Sequence, residues 1–351
     1  MSATEHLLVF GKIGKPDDVV SVRFDEVAGT LTPLASVKVG LSPDYVERHP
    51  KHSDLVYIAT RSDSRGKLTL ARVSSEGQIK LLDSAETGLN DPCYMQFVPD
   101  ASGLVISHFL GGGVTFLPIN PDGSLGKHKP DHFFLPEYKP LRHPRQYGSH
   151  PHQVIIHGDE IIVPDQGCNV VYRLRYDPRS GFTLLGTLTD FLEGEGPRHG
   201  VVHPSGKFLY ILGEMSCQVS VHTLPVPGTD ESKCIQPISI YPPSDAVHLA
   251  QIPMLASALK MRDGKLLATN RQSRWPERDA IAIVGINDDA SLSPPMYHWP
   301  GLTHMRELSW SPDGRFLCAA GRDAGGVVIL DRNWNVVARL DMDNVAIQVW
   351  L

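Results

Sequence analysis

His152, Arg198, Glu214 and Arg271 are the residues of this chain whose types could together manage an anion and a proton. A histidine titrates near neutral pH, and a carboxylate can accept or return a proton. Arginines supply permanent charge on a planar fork that grips carboxylates and phosphates through two parallel hydrogen bonds. When the chain is aligned on its recurring turns, Asp44, Cys93, His152, Arg198, Ser257 and Arg306 fall at one equivalent position. Arg61, His108, Asp165, Glu214, Arg271 and Arg322 fall at a second. A scaffold with no other task would put small or apolar side chains at such places. Guanidinium and acid–base groups converging on one concave point suit an anionic substrate that undergoes proton transfer. The structural alternatives are an Arg198–Glu214 pair that merely braces neighbouring strands, and a His152 that is a satisfied core histidine. Asp165, in an Asp-x-Gly string, is expected to bond turn amides, and His157 and His203 are expected to cap turns.

The elements that would hold these residues are legible in the stretch Gly196 to Leu224, GPRHGVVHPSGKFLYILGEMSCQVSVHTL. It reads as alternating segment, turn, apolar strand, polar tip carrying Glu214, and a second alternating strand. Its turn recurs as HPKHSD, VPDASG, IHGDE, HPSGK, MRDGK and SPDGR, starting at residues 49, 98, 156, 203, 261 and 311. That spacing is the length of a propeller blade, and the period-two alternation excludes helical repeats. The expected fold is all-β: one seven-bladed β-propeller domain, residues 1–351, built of four-stranded antiparallel blades. The C-terminal strand NVAIQVWL has no partner after it, and the N-terminal blade lacks an inner strand, so the two are expected to pair. Such a pairing closes the ring and removes open edges. Lys127 to Tyr147 and Pro225 to Met254 read as long loops.

Composition sets the outer limits. A net charge of −6 and a pI near 6.2, with no Lys/Arg run, exclude a nucleic-acid scaffold. Five scattered cysteines without a CxxC pair suit a reducing compartment. No segment reaches the roughly 20 apolar residues of a membrane helix, and the N-terminus lacks a basic leader. A soluble, cytoplasmic protein is expected, with homo-oligomer formation left open. GxSxG and HExxH are absent, and His143, His150 and His152 lack convincing metal spacing, so no metal and no cofactor are expected. The glycine run Gly111 to Gly113 precedes a strand and not a helix, which marks a tight bend and not a phosphate loop.

The segments SHPHQV (149–154), VPDQGCNVVYRLRYD (163–177), GEGPRHGVVHPSGKFLYILGE (194–214), TNRQS (269–273) and SPDGRFLCAAGRD (311–323) resemble the seven-bladed lactonase family. That family includes the propeller-type 6-phosphogluconolactonases and the fungal 3-carboxy-cis,cis-muconate lactonizing enzymes. The resemblance spans nearly the whole chain and implies metal-independent lactone chemistry. It places the catalytic set on His152, Arg198, Glu214 and Arg271, the residues that the turn alignment also selects. Arg306, Arg274, His108 and His199 are the accompanying substrate-binding candidates. The segments Leu110 to Leu125 and Arg145 to Val154 look more like the phosphogluconolactonase branch. Two departures, Gly111 to Gly113 after His108-Phe109 and Gly321-Arg322 in the last blade, touch the shape of subsites. The implied substrate is a small anionic lactone undergoing hydrolysis, with cyclization of a carboxymuconate, a polycarboxylate, as the alternative. In either direction His152 or Glu214 would move the proton. A reading of another class, a non-catalytic propeller that binds a partner protein, lacks the Gly-His/Trp-Asp signature of such rings.

Overall fold

Among the described residues every regular element is a β-strand. The computed structural model describes residues 4–14, 18–61, 65–127, 129–136, 144–229, 231–242, 255–271 and 279–351. By contacts the chain forms two compact units. The first comprises Met1–Ile106, Thr115–Pro130 and Pro300–Leu351, and the second comprises Ser107–Val114 and Asp131–Trp299.

In the second unit, Pro197–Val202, Phe208–Gly213, Gln218–Thr223 and Cys234–Ser239 form a four-stranded antiparallel sheet in chain order. Phe208–Gly213 is apolar along its whole length because both of its faces are covered; Leu209, Tyr210, Ile211 and Leu212 are fully buried. The outer strand Cys234–Ser239 alternates between half-buried and exposed residues, as a one-sided strand must. The HPSGK turn closes through His203 N to Phe208 O (2.9 Å) and Gly206 N to His203 O (2.8 Å). Gly206 sits at φ 71°, where a side chain would be strained. His203 caps this turn as expected, its Nδ1 accepting the Ser205 amide (3.1 Å).

One further sheet of the second unit follows the same plan: Ile155–His157, Glu160–Asp165, Val170–Asp177 and Gly181–Leu188. Leu255–Arg262, Lys265–Arg271 and Asp279–Gly285 also pair antiparallel in chain order, as the first three strands of a seven-stranded sheet. Tyr210, Leu212, Val219, Val221, Leu266 and Ala268 share one apolar cluster that fixes the site-bearing strands. The stretches read as loops each contain a strand, Asp131–Phe134 and Cys234–Ser239. Their outer position makes them too polar to stand out as strands by hydrophobicity.

In the first unit, Val345–Trp350 pairs antiparallel with Glu5–Lys12, Leu8 standing opposite Trp350 and Val9 opposite Val349. The sheet continues through Asp18–Asp25 and Thr30–Lys38. The orphan C-terminal strand therefore completes the N-terminal sheet, burying Val345, Ile347 and Trp350. Leu41–Arg48, Leu55–Arg61, Lys67–Val73 and Ile79–Glu86 make a second four-stranded sheet. Met296–Trp310 is a single 15-residue strand whose residues from Pro300 on belong to this unit, with Gly301 and His304 at positive φ.

The aligned inner-strand position has a structural signature. Register shifts fall around Asp44, between Pro197 and His199, between Ala256 and Leu259, and between Met305 and Leu308. Each is a β-bulge, a device that re-aims a side chain at the end of a strand.

Candidate active site

Arg198 is the extra residue of its bulge, since Pro197 faces Gly213 and His199 faces Leu212. Glu214 lies one residue beyond the end of Phe208–Gly213, its amide bonded to Gly196 O (2.8 Å) and its carbonyl accepting the Ala256 amide (2.8 Å). The tip is thereby pinned from both sides. Gly196, at φ 69°, in turn donates its amide to Asn169 Oδ1 at 2.8 Å. Arg271 ends Lys265–Arg271, opposite Leu255.

These placements bring three guanidinium groups to one carboxylate. Arg198 Nη1 donates to Glu214 Oε2, while its Nε donates to Ser257 O (2.9 Å), a carbonyl in the bulged segment of the next strand. Arg271 Nη2 donates to Glu214 Oε1 at 2.5 Å. Arg145 Nη1 reaches the same oxygen at 3.2 Å. The carboxylate side chain is only 2% exposed, as against 4% for Arg198, 9% for Arg271 and 48% for Arg145.

The electrostatics follow from that packing. Burial pushes the Glu214 carboxyl up, but Arg271, Arg198 and Arg145 outweigh it and hold the group below the ordinary carboxylate range. Burial, with Arg198 and Arg145 as like charges, draws Arg271 down to about 10 even though Glu214 opposes the shift. Both groups are therefore charged at neutral pH. Three guanidinium groups thus meet on the one Glu214 carboxylate.

His152 is buried, its amide bonded to Pro164 O (3.0 Å), and its ring lies 5.3 Å from that of His199 and edge-on to Phe109 at 5.8 Å. His199 adjoins Arg198 in the same strand. The neighbouring tip is organised by Asp165, which accepts from Ser149 Oγ (2.5 Å) and from the amides of His150 and Cys168 (both 2.8 Å). Burial raises the Asp165 carboxyl and these hydrogen bonds oppose the shift. It holds turn amides, as its sequence context indicates. His150 Nδ1 donates to Phe109 O (2.9 Å), and its ring stacks on Phe109 at 4.7 Å.

Of the remaining candidates, His108 is fully buried at the end of Gly103–His108, its carbonyl accepting the Gly112 amide at 3.0 Å. Arg306 lies at the bulge of Met296–Trp310, in the first unit. Arg274 and His143 fall outside the described residues. Among the described residues no group of three or more His, Cys, Asp or Glu side chains could hold a metal ion. The structure thus shows two groupings, three guanidinium groups on Glu214 and the rings of His152, His199 and Phe109 against one another.

The model of one protein family, described as Lactonase, 7-bladed beta-propeller, matches residues 8–338. The chain belongs to the seven-bladed β-propeller lactonase family. A 6-phosphogluconolactonase of Formosa agariphila is 23% identical over 319 residues, covering 88% of this chain and 87% of that protein. A 6-phosphogluconolactonase of Bacillus subtilis is 22% identical over 338 residues, with 91% and 88% covered. The periplasmic gluconolactonase PpgL of Pseudomonas aeruginosa has a similar fold, at a TM-score of 0.80 and 20% identity, with 99% of each chain covered.

Within this lactonase-family chain the turn alignment selects Arg198, Glu214 and Arg271, which the structure brings together. It misses Arg145. That residue lies between the repeats, in the segment Lys127 to Tyr147, where no periodicity marks an inward position. The available signal was the string RQYGSHPHQV, whose family resemblance begins at Arg145 itself.

Proposed function

We propose that this protein hydrolyses the lactone of a small anionic sugar acid, without a metal ion, at the Arg198–Glu214–Arg271 cluster. The observation that carries this reading is the buried Glu214 carboxylate on which three guanidinium groups converge. The 6-phosphogluconolactonases among the relatives supply the substrate class.

Arg198 and Arg271 bind the substrate and stabilise the charge that grows on the carbonyl oxygen as water attacks. Glu214, ionised and saturated with donors, is a weak proton acceptor. Its part is to hold both arginines in place and lower the cost of burying them. The imidazole of His152 takes the proton of the attacking water. The water oxygen bonds to the carbonyl carbon, the ring C–O bond breaks, and the proton passes to the departing ring oxygen. The products are a carboxylic acid and a hydroxyl on one open chain. His199, His108, Arg306 and Arg274 remain substrate-binding candidates. Cyclization of a carboxymuconate would use the same groups, but the named relatives favour hydrolysis.

We place the reaction on a single closed ring, residues 1–351, sealed by Val345–Trp350 against Glu5–Lys12, in a cytoplasmic protein that needs no cofactor and binds no nucleic acid. The test is hydrolysis of 6-phosphogluconolactone, with carboxymuconate cyclization in parallel and a chelator present throughout. Hydrolysis above the spontaneous rate supports the reading. Cyclization alone, or activity lost to the chelator and restored by a divalent ion, overturns it.

A further inference from the structure

The side chain of Asn169 ties together the segments that bring the charged groups of the site to one another. Its carboxamide oxygen accepts the Gly196 amide at 2.8 Å and Gln146 Nε2 at 3.2 Å, and its nitrogen donates to Leu192 O at 2.9 Å. Two of these partners stand next to the site. Gln146 follows Arg145 in the chain, and a second bond from its Nε2 to Gln166 O (2.9 Å) fixes it in place. Gly196 lies two residues before Arg198, and its carbonyl accepts the Glu214 amide at 2.8 Å. The third partner, Leu192, opens the turn 192–196 that leads to Gly196, and its carbonyl also accepts the Glu195 amide at 3.0 Å. One buried oxygen therefore joins the segment of Arg145 to the segment that carries Arg198 and holds Glu214.

The residue type suits this place in two ways. Asn169 has φ 58°, in the left-handed region that asparagine tolerates better than most residues with a side chain. A turn asks for no more than that. Its side-chain bonds go further, to residues 23 and 27 positions away in the chain. Because Asn169 and Gln146 are buried, neither segment can drift without leaving a polar group unpaired away from water.

We infer that Asn169 is a positioning residue: its carboxamide sets how Arg145, Arg198 and Glu214 stand to one another, and so aligns the guanidinium groups with the oxygen on which charge develops. The inference rests on the lactone-hydrolysis reading and adds to it a residue that acts only through others.

The experiment uses two substitutions. Asn169→Gly keeps the left-handed backbone and removes all three bonds, whereas Asn169→Asp keeps the acceptor oxygens and loses only the donation to Leu192 O. The quantities read are kcat and KM for 6-phosphogluconolactone and the melting temperature, for the wild type, both variants, Arg198→Lys, and Arg198→Lys combined with Asn169→Gly. A misplacement of about 1 Å can cost about 100-fold, so Asn169→Gly lowers kcat roughly 10- to 100-fold with a smaller change in KM, and Asn169→Asp recovers most of the loss. In the Arg198→Lys background Asn169→Gly has little further effect, because residues that act as a unit are not additive. A brace for the fold would behave differently. Asn169→Gly would then melt earlier yet keep the wild-type kcat per folded molecule, or its loss would multiply in full with that of Arg198→Lys; either result overturns the inference. Should the wild type not hydrolyse the lactone, the hydrolysis reading fails by itself. Hydrogen exchange at the Glu214 amide then decides the positioning: faster exchange in Asn169→Gly supports it, and unchanged exchange overturns it.

Discussion

The same pair of repeat positions is charged in opposite senses in two regions of the molecule. In one, the inner-strand bulge carries Arg198 and the following tip carries Glu214; in the other, the bulge carries Asp44 and the tip carries Arg61. Arg61 Nε lies 2.9 Å from Asp44 Oδ2 and 2.6 Å from Asp91 Oδ1, one guanidinium between two carboxylates. Its side chain is 47% exposed, whereas nearly all of Glu214 and Arg198 is buried. A cross-strand ion pair at bulge and tip is thus a fitting that the repeat provides in more than one blade. Such a pair alone says nothing of function. What sets the Glu214 region apart is burial: two arginines, Arg198 and Arg271, and the carboxylate they share are withdrawn from water together, which makes the loss of any one of them costly.

That contrast can be broken at several strengths. The largest effect is expected at His152: His152→Asn lowers kcat about 10²–10⁴-fold, the usual loss of a general base, while Asp44→Asn leaves kcat unchanged. Comparable losses in the two variants would erase the distinction between the regions. Next comes stability. Glu214→Gln strands Arg198 and Arg271 without their counter-charge and costs about 3–5 kcal/mol by urea denaturation, the scale for breaking a buried pair. Asp44→Asn, whose partner is half in water and keeps Asp91, costs about 0–1 kcal/mol. Equal costs would make the two pairs the same kind of object.

A smaller effect lies in the pH dependence. The Glu214 carboxyl is lowered in the folded state from its ordinary 4.5, so its stabilisation is fully present above that value and fades as pH falls through the folded pKa. The stability gap between wild type and Glu214→Gln should be constant near neutrality and narrow in acid below 4.5. Asp165 and Glu195 shift the other way because burial raises both, so the double comparison with Glu214→Gln is needed to isolate the one group. A gap that stays constant into strong acid would mean that Glu214 is not the ionised centre of the cluster. The smallest expected effect is none: activity survives dialysis against EDTA, and its loss would return attention to histidine ligands.

The repeat made most of this site legible in advance. Turn spacing placed Arg198 and Ser257 at one equivalent position and Glu214 and Arg271 at a second, and the bulges around Asp44, Arg198, Ser257 and Arg306 show that the alignment followed a real backbone feature. Asp165 and His203 took up the turn-capping parts that Asp-x-Gly and His-Pro-Ser-Gly suggest. What stayed hidden lies outside the period. Arg145 reaches Glu214 from a segment whose placement depends on tertiary contacts, and nothing in its spacing tells an inward arginine from a solvated one. The strands Asp131–Phe134 and Cys234–Ser239 were hidden for a different reason, since an outer strand with one wet face carries too few apolar residues to separate it from a loop.

The central claim is that the buried arginines act on the ester and are not merely a brace. Arg198 tests it best, because its fork spans Ser257 O and Glu214 at once and a lysine cannot reach both. The measurement is kcat/KM for 6-phosphogluconolactone, corrected for spontaneous hydrolysis, for the wild type and for Arg198→Lys, together with the melting temperature of each. The expected result is a wild type well above the spontaneous rate and a folded Arg198→Lys variant reduced about 100-fold, the scale of one lost oxyanion donor. A folded Arg198→Lys variant that turns over the lactone at the wild-type rate would contradict it.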